Sequence, residues 1–280
     1  MFVLTISFLL FIGFGTPIAW SIVISSFLSL FVSLPSIITA TTIAQRMATA
    51  LDSFALLAIP FFILAGQLMS NGGIAHRLIR FAKTLVGSLP GGLALINIIS
   101  AMLMGAIAGS AMASASAMGS ILGPEMKKEG YDKEYGAALN ITSSTIGLII
   151  PPSNVLIIYS LASGGVSIAA LFLAGYIPGI LTGLFLMVVA FFWAKKKGYP
   201  TSNKSNIKDV VSSFIDALPS LLLLFIVIGG IVMGLFTATE ASAIAVLYAL
   251  VLWIIYNEIK INELSSIILS STKTSSIVLL

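Results

Sequence analysis

The sequence predicts an all-α polytopic membrane protein with about six membrane-crossing helices, one re-entrant hairpin and one proline-broken helix. Three observations carry this. The chain of 280 residues is 58% hydrophobic and only 9% charged, with a mean hydropathy of +1.11, which excludes an ordinary soluble domain. The run Gly92 to Pro124 holds no charged side chain. As one helix it would measure roughly 50 Å, against a hydrocarbon core of roughly 30 Å. Both flanks are basic: His76, Arg77, Arg80 and Lys83 before it, Lys127, Lys128 and Lys133 after it. Basic loops stay cytoplasmic, so the run must enter and leave on one face. Its small-residue middle, Gly105 to Ser114, is the expected tip. Irregular backbone at membrane depth persists only inside protein or beside a watery cavity.

The elements follow in order. Segment one runs from Val3 to Leu34, interrupted at Gly13, Gly15 and Pro17. It has no basic n-region and no clear cleavage site, so it reads as a retained helix rather than a signal peptide. Pro35 to Asp52 is a polar linker carrying Arg46. Segment two, Phe54 to Met69, has Pro60 in its middle as a kink, with the Leu56 carbonyl freed. The basic loop leads to the hairpin (91–126) and then to a charged connector, Glu125 to Glu134. Segment four (135–162) is broken at Pro151-Pro152, and Ser163-Gly164-Gly165 turns the chain into segment five, Ser167 to Trp193.

Lys195, Lys196 and Lys197 stop that helix on the inside. In the connector Tyr199 to Asp216, residues Ile207, Val210, Val211 and Phe214 share a helical face, with Lys204, Lys208 and Asp209 elsewhere. That pattern suits an interfacial helix. Segments six (Leu218 to Phe236) and seven (Ala241 to Tyr256) are joined by Thr237 to Glu240, and an amphipathic piece starts at Glu258. With the N-terminus inside, every basic loop through Lys260 falls inside except Arg46. A single crossing through the long run would place the triple lysine outside.

The chemistry is constrained by what is missing. There is no cysteine and one histidine, which excludes disulfides, thiol catalysis and thiolate or multi-histidine metal sites. No basic stripe interleaved with aromatics suggests nucleic acid. No intramembrane acid pair supports a catalytic constellation or a proton relay, so the chain does not read as an enzyme and sodium is favoured over protons. Glu240 and Asp52 are read as helix caps.

The sharpest motif is Gly147-Leu-Ile-Ile-Pro151-Pro152-Ser153-Asn154. Proline has no N–H and its ring clashes with the carbonyl four residues back, so the pair frees the carbonyls of Gly147 and Leu148. Ser153 and Asn154 add side-chain oxygens. Asn140, Thr142, Ser143, Ser144 and Thr145 add more on the same segment. Freed carbonyls and neutral oxygens form a cage for a hard monovalent cation, as in the discontinuous helices of secondary transporters. The alternative is a plain kink whose hydroxyls bond neighbouring carbonyls. At the hairpin tip, Gly105, Gly109, Ser110, Ser114, Ser116 and Ser120 either allow close helix packing or donate oxygens to the same ion.

These segments resemble a known family. Phe54-Ala-Leu-Leu-Ala-Ile-Pro60-Phe-Phe-Ile-Leu-Ala-Gly66, Gly109-Ser110-Ala-Met-Ala113, Gly147 to Ser153, Leu171-Phe-Leu-Ala-Gly175-Tyr-Ile-Pro178-Gly179 and Gly234 to Ala241 are similar, in order, to the large membrane (permease) subunit of TRAP transporters, DctM type. Ala238 departs from a frequent proline.

The resemblance implies the ion transporter superfamily, with inverted repeats and an elevator-type mechanism. It implies sodium-driven symport, with Na+ as coupling ion and no other cofactor, and uptake of C4-dicarboxylates, sialic acid or other sugar acids. The implied partners are a small four-helix membrane subunit and a periplasmic substrate-binding protein, at the bacterial inner membrane. The first ion site would lie near Gly109, Ser110 and Gly147 to Asn154, including Pro151 and Pro152. The expected organisation is scaffold-type helices and basic loop (1–90), transport core (91–165), helix and interfacial connector (166–215), and the start of a second repeat (216–280), apparently truncated. A proton-coupled organic-anion transporter and a channel-like pore stay open as alternatives.

Overall fold

The computed structural model describes residues 2–71, 73–201, 205–256 and 261–279, and among these there is no β-strand. The expectations for Lys204, Glu258 and Lys260 lie outside the described residues. The chain divides into two compact units, residues 2–54 with 277–279, and Ala55–Ser276.

In the first unit, segment one is two helices rather than one. α1 (Phe2–Gly13) and α2 (Ile18–Ser33) pack against each other. Gly15 takes a left-handed φ of 77° and Pro17 caps α2, so the Gly-Thr-Pro interruption is a full turn. The expected linker after Pro35 is also helical, as α3 (Ser36–Leu51). Its residues Ala40, Ala44, Met47 and Ala48 are good helix formers, and their propensity outweighs the threonines that suggested a loop. Asp52 directly follows as the C-cap of α3, not as an N-terminal cap.

The second unit begins with a 3-10 turn, Phe54–Leu57, continuing into α4 (Ala58–Asn71). Pro60 therefore sits in the first α-turn, where its missing N–H costs little, and is not a mid-helix kink. The basic loop is a helix, α5 (Ile74–Val86). It buries Ile74, Ala75, Leu78, Ile79 and Ala82 and exposes His76, Arg80 and Lys83.

α6 (Gly92–Ala108) and α7 (Ala111–Lys128) form the expected hairpin and pack on each other. α6 buries 14 of its 17 residues, as a helix apolar on all sides must, and contacts α4, α5, α7 and α8. α8 (Lys133–Thr145), a 3-10 turn (Ile146–Leu148) and α9 (Asn154–Ala162) make up the broken segment. The α-helix gives way to the 3-10 turn at Ile146, whose carbonyl accepts the last main-chain bond before the break, from the Ile150 N–H at 3.0 Å. Pro151 and Pro152 have no N–H to offer the carbonyls of Gly147 and Leu148, and Gly147 helps helix little.

α10 (Ile168–Lys197) is one helix of 30 residues, ended by Gly198 with φ 69°. α11 (Ile207–Val232) is continuous over 26 residues, so the expected interfacial helix and segment six are a single element. α12 (Ala238–Tyr256) and α13 (Ile261–Leu279) complete the chain. Phe54–Asn71, α10, α11 and α12 are long and apolar enough to cross a membrane. α1, α2 and α6 are apolar but shorter.

Polar contacts stitch the basic helix to its neighbours. Arg80 meets Asp216 at 2.7 Å, Thr84 and Ser213 hydroxyls are 2.9 Å apart, and Arg77 lies 3.6 Å from the centre of the Tyr256 ring. α4 packs along α12. Glu240 accepts from the Thr237 N–H and hydroxyl, each at 2.8 Å, while the Glu240 N–H donates to the Thr237 hydroxyl at 3.2 Å. This is a reciprocal capping box, as expected for Glu240.

Both ends of the hairpin meet the lysine end of α10. At its start, a side chain on Gly91 would collide with Ala194. Past its end, Lys197 and the Tyr199 hydroxyl donate to Asp132 at 3.0 and 2.9 Å. Tyr131, Tyr135, Trp193 and Tyr199 stack around that point, a composition typical of the membrane–water boundary. The hairpin therefore leaves at the level where it enters, which is the geometry its length and flanking charges require.

Two outcomes follow for stability. Gly147→Val would place a Cβ 2.7 Å from the Gly105 Cα, so it should destabilise the purified protein by about 1–3 kcal/mol or more, read as a lower thermal midpoint. Gly123→Ala, with nothing within 4 Å of the added carbon, should be neutral or slightly stabilising. The hydrogen bonds from Lys197 and Tyr199 hold the Asp132 carboxyl below its ordinary value. Its contribution is complete above the unfolded carboxylate pKa and is lost as pH falls through the lowered folded value. Asp132→Asn should flatten the fall in thermal midpoint between neutral and acidic pH.

Candidate functional site

The hairpin tip and the helix break meet backbone to backbone. Gly109 ends α6 with φ 59°, and a side chain there would lie 2.5 Å from the Pro152 carbonyl oxygen. Only glycine combines that left-handed turn with that approach. About one turn deeper, Gly105 and Gly147 touch through their α-carbons. Small residues here do serve close packing, and the packing delivers the tip to the break.

Each break is tied off locally. Ser110 caps α7 by accepting from the Ala113 N–H at 3.4 Å. Ser153 caps α9 by accepting from Leu156 at 3.5 Å and donates to the Leu148 carbonyl at 2.5 Å. One of the two carbonyls expected to be freed by the prolines therefore has a partner. The peptide Pro151-Pro152 is cis.

The remaining candidates fall into two levels. Gly109, Ser110, Pro151, Pro152, Ser153 and Asn154 gather at the tip. Ser114, Asn140 and Ser143 sit nearer the hairpin base. There Ser114 donates to the Ala101 carbonyl at 3.3 Å, tying the two arms together. Asn140 donates to the Ala115 carbonyl at 2.9 Å, and Ser143 donates to Asn97 Oδ1 at 3.2 Å. Asn97, 1% exposed, was not singled out from sequence; a lone amide within an apolar charge-free helix was the available signal. Asn140 lines a cavity of about 340 Å³ at the hairpin base together with Asn97 and Asp132.

Several buried oxygens lack a hydrogen-bond partner among the described residues: Asn154 Oδ1 at the tip, Ser144 Oγ on the final turn of α8, and Ser100 Oγ and Asn140 Oδ1. An unpartnered buried polar atom costs about 1–3 kcal/mol, so such a group needs a reason. Neutral oxygens beside an unwound helix suit a hard monovalent cation.

The helix ends supply the field. α6 and the 3-10 turn present carbonyl ends to the junction, while α7 and α9 start there and present N–H ends. Carbonyl ends favour a cation and N–H ends an anion. The junction can therefore hold both charges side by side with no ionised side chain of its own.

Beside the tip, α4, α7 and α13 enclose a cavity of about 570 Å³. Its polar residues include Gln67, Ser70, Ser110, Ser116, Ser270 and Thr274. Of these, Ser110 and Ser116 were candidates from sequence; Ser270 and Thr274 were not, because α13 is far along the chain and its serine pattern has no local signature.

Residues 5–280 match the family model for the tripartite ATP-independent periplasmic transporter DctM component. The chain is 55% identical over 274 residues to the uncharacterized protein YgiK of Salmonella typhimurium, covering 98% of this chain and 63% of that protein. It is 37% identical to the 2,3-diketo-L-gulonate TRAP transporter large permease protein YiaN of Escherichia coli, covering 96% and 63%. It is 40% identical to the sialic acid TRAP transporter large permease protein SiaM of Vibrio cholerae, covering 85% and 56%. The chain thus spans somewhat under two thirds of the length of these relatives. On a match that runs nearly end to end, the chain belongs to the DctM component family of tripartite ATP-independent periplasmic transporters, a family of transport proteins and not of enzymes.

Proposed function

We propose that the chain belongs to the membrane subunit of a sodium-coupled, binding-protein-dependent importer of organic acids in the bacterial inner membrane. The observation that carries this is the junction of Gly109 with Pro152, beside the unpartnered Asn154 Oδ1. Two carbonyl-ended and two N–H-ended helices converge there. Sodium would be held by neutral oxygens, Asn154 Oδ1 and carbonyls of the break foremost. The substrate carboxylate would lie against the first turns of α7 and α9, close to that positive charge.

Coupling follows from this arrangement. A carboxylate entering without a cation faces desolvation with only partial compensation from helix ends, and the converse holds for the ion. Each raises the affinity of the other, and such linkage is reciprocal. Relatives named as permeases for sialic acid and 2,3-diketo-L-gulonate support organic acids as the substrate class. The family name supports a periplasmic partner; a small membrane subunit and an elevator-type movement complete the proposal.

Accumulation of labelled organic acids into proteoliposomes, with the complete gene product, its small subunit and its binding protein, tests this directly. Uptake should require an inward sodium gradient. Uptake indifferent to sodium but driven by a proton gradient would replace the coupling ion, and flux without accumulation would indicate a pore. Ser110→Leu and Pro152→Ala should reduce sodium-dependent uptake more than they reduce folded protein. Sodium should raise the parent's thermal midpoint, with about 2.7 kcal/mol of stabilisation at a hundredfold excess over Kd, and Asn154→Ala should lose most of that response.

A further inference from the structure

The cavity of about 570 Å³ between α4, α7 and α13 falls in the range of small-molecule sites. Its chemistry is selective. Among the described residues, no charged side chain lines it. α4 carries no charged residue, and the charged residues of α7 and α13, including Glu125, Glu263 and Lys273, are not in its wall. The polar groups are the amides of Gln67 and Asn71 and several hydroxyls.

Their existing bonds leave capacity for a ligand. Gln67 gives one amide hydrogen to Thr274 Oγ1 at 3.4 Å and retains the second hydrogen and the carbonyl oxygen. Thr274 donates to the Ser270 carbonyl at 2.9 Å and Ser70 donates to the Gly66 carbonyl at 2.8 Å. Each such hydroxyl oxygen still has a lone pair to accept with. At one edge the wall reaches Ser110 and Met112, the start of α7, whose N–H groups favour one negative charge. The cavity therefore offers a place for one anionic end and, beyond it, neutral partners that both donate and accept.

We propose that this cavity binds the polyhydroxylated body of a sugar-acid monocarboxylate, its carboxylate at the Ser110 end and its hydroxyls on Gln67, Ser70, Ser116, Ser270 and Thr274. The assignment rests on the function proposed above and narrows its substrate class. A C4-dicarboxylate would bring a second carboxylate into a wall that holds no cation among the described residues, and an unpaired buried charge is strongly disfavoured. Ring or chain hydroxyls match the wall group for group, and a site built to bond hydroxyls rejects analogues lacking them.

The test uses the complete gene product with its small membrane subunit in detergent, without the binding protein, whose own selectivity would mask the membrane site. Gluconate and succinate serve as probes, read by equilibrium dialysis and thermal shift with and without sodium. We expect gluconate to bind in sodium at least tenfold more tightly than succinate. Gln67→Leu and Ser270→Ala should each weaken gluconate about three- to tenfold, the loss of a neutral hydrogen bond. The sodium-induced thermal shift of both variants should match the parent's, which shows that fold and ion site are intact. Succinate binding as tightly as gluconate, or variants with unaltered gluconate affinity, would overturn the assignment while an intact sodium response leaves the transport proposal standing. Absence of any sodium response in the parent would instead overturn the sodium coupling, and this assignment with it.

Discussion

The contact of one backbone with another, Gly105 on Gly147 and Gly109 on the Pro152 carbonyl, is the constraint from which the rest of the core follows. Two helix breaks can face each other only if no side chain separates them. Glycine at these positions on the hairpin, and at the start of the break, removes the obstruction. Once the breaks touch, four helix ends share one small volume, and their partial charges supply what an ionised residue would supply elsewhere. The absence of intramembrane acids is then compatible with binding ions: the field comes from peptide dipoles, at far lower desolvation cost than a buried carboxylate.

α10 extends this logic along its length. Gly175 faces the Ile149 carbonyl, Gly179 faces Ile150, and Gly183 faces Met102. With Ala190 and Ala194 buried further along, one stripe of small residues runs beside the break, then the first hairpin arm, then the hairpin entrance. Close approach replaces hydrophobic driving force, which is weak between helices in lipid. The aromatic stack of Tyr131, Tyr199 and Trp193 with Tyr135 closes the arrangement at the lysine end.

What could be read from sequence was the punctuation. Gly109-Ser110 and Pro151-Pro152 interrupt apolar runs with residues whose backbone limits are intrinsic, so both breaks were visible, and so was the hairpin from length and flanking charge. Two helices were hidden. α3 contains enough threonine to suggest a linker, and α5 was read through its basic residues although Ile74, Leu78, Ile79 and Ala82 already follow a helical period. The doubling of segment one into α1 and α2 turned on Gly15 and Pro17, which mark an interruption but not its angle. The unwinding at Ile146 precedes its cause by five residues. Asn97, Gln67 and the serines of α13 could not be assembled from sequence, because their meeting depends on tertiary packing alone.

The shared stripe of α10 also bears on which parts of the protein travel as one. A helix in van der Waals contact with the break, with the first hairpin arm and with the hairpin entrance cannot slide past any of them without opening a gap along its whole glycine face. α10 thereby packs against the same elements as the hairpin along most of its length. Any sliding surface has to lie on the opposite side of α10, where Ile177, Phe185, Val189 and Phe192 face outward. A covalent tether between Met102 and Gly183, on the stripe side, would leave such a movement intact, whereas one anchored at Phe185 to whatever lies beyond would arrest it.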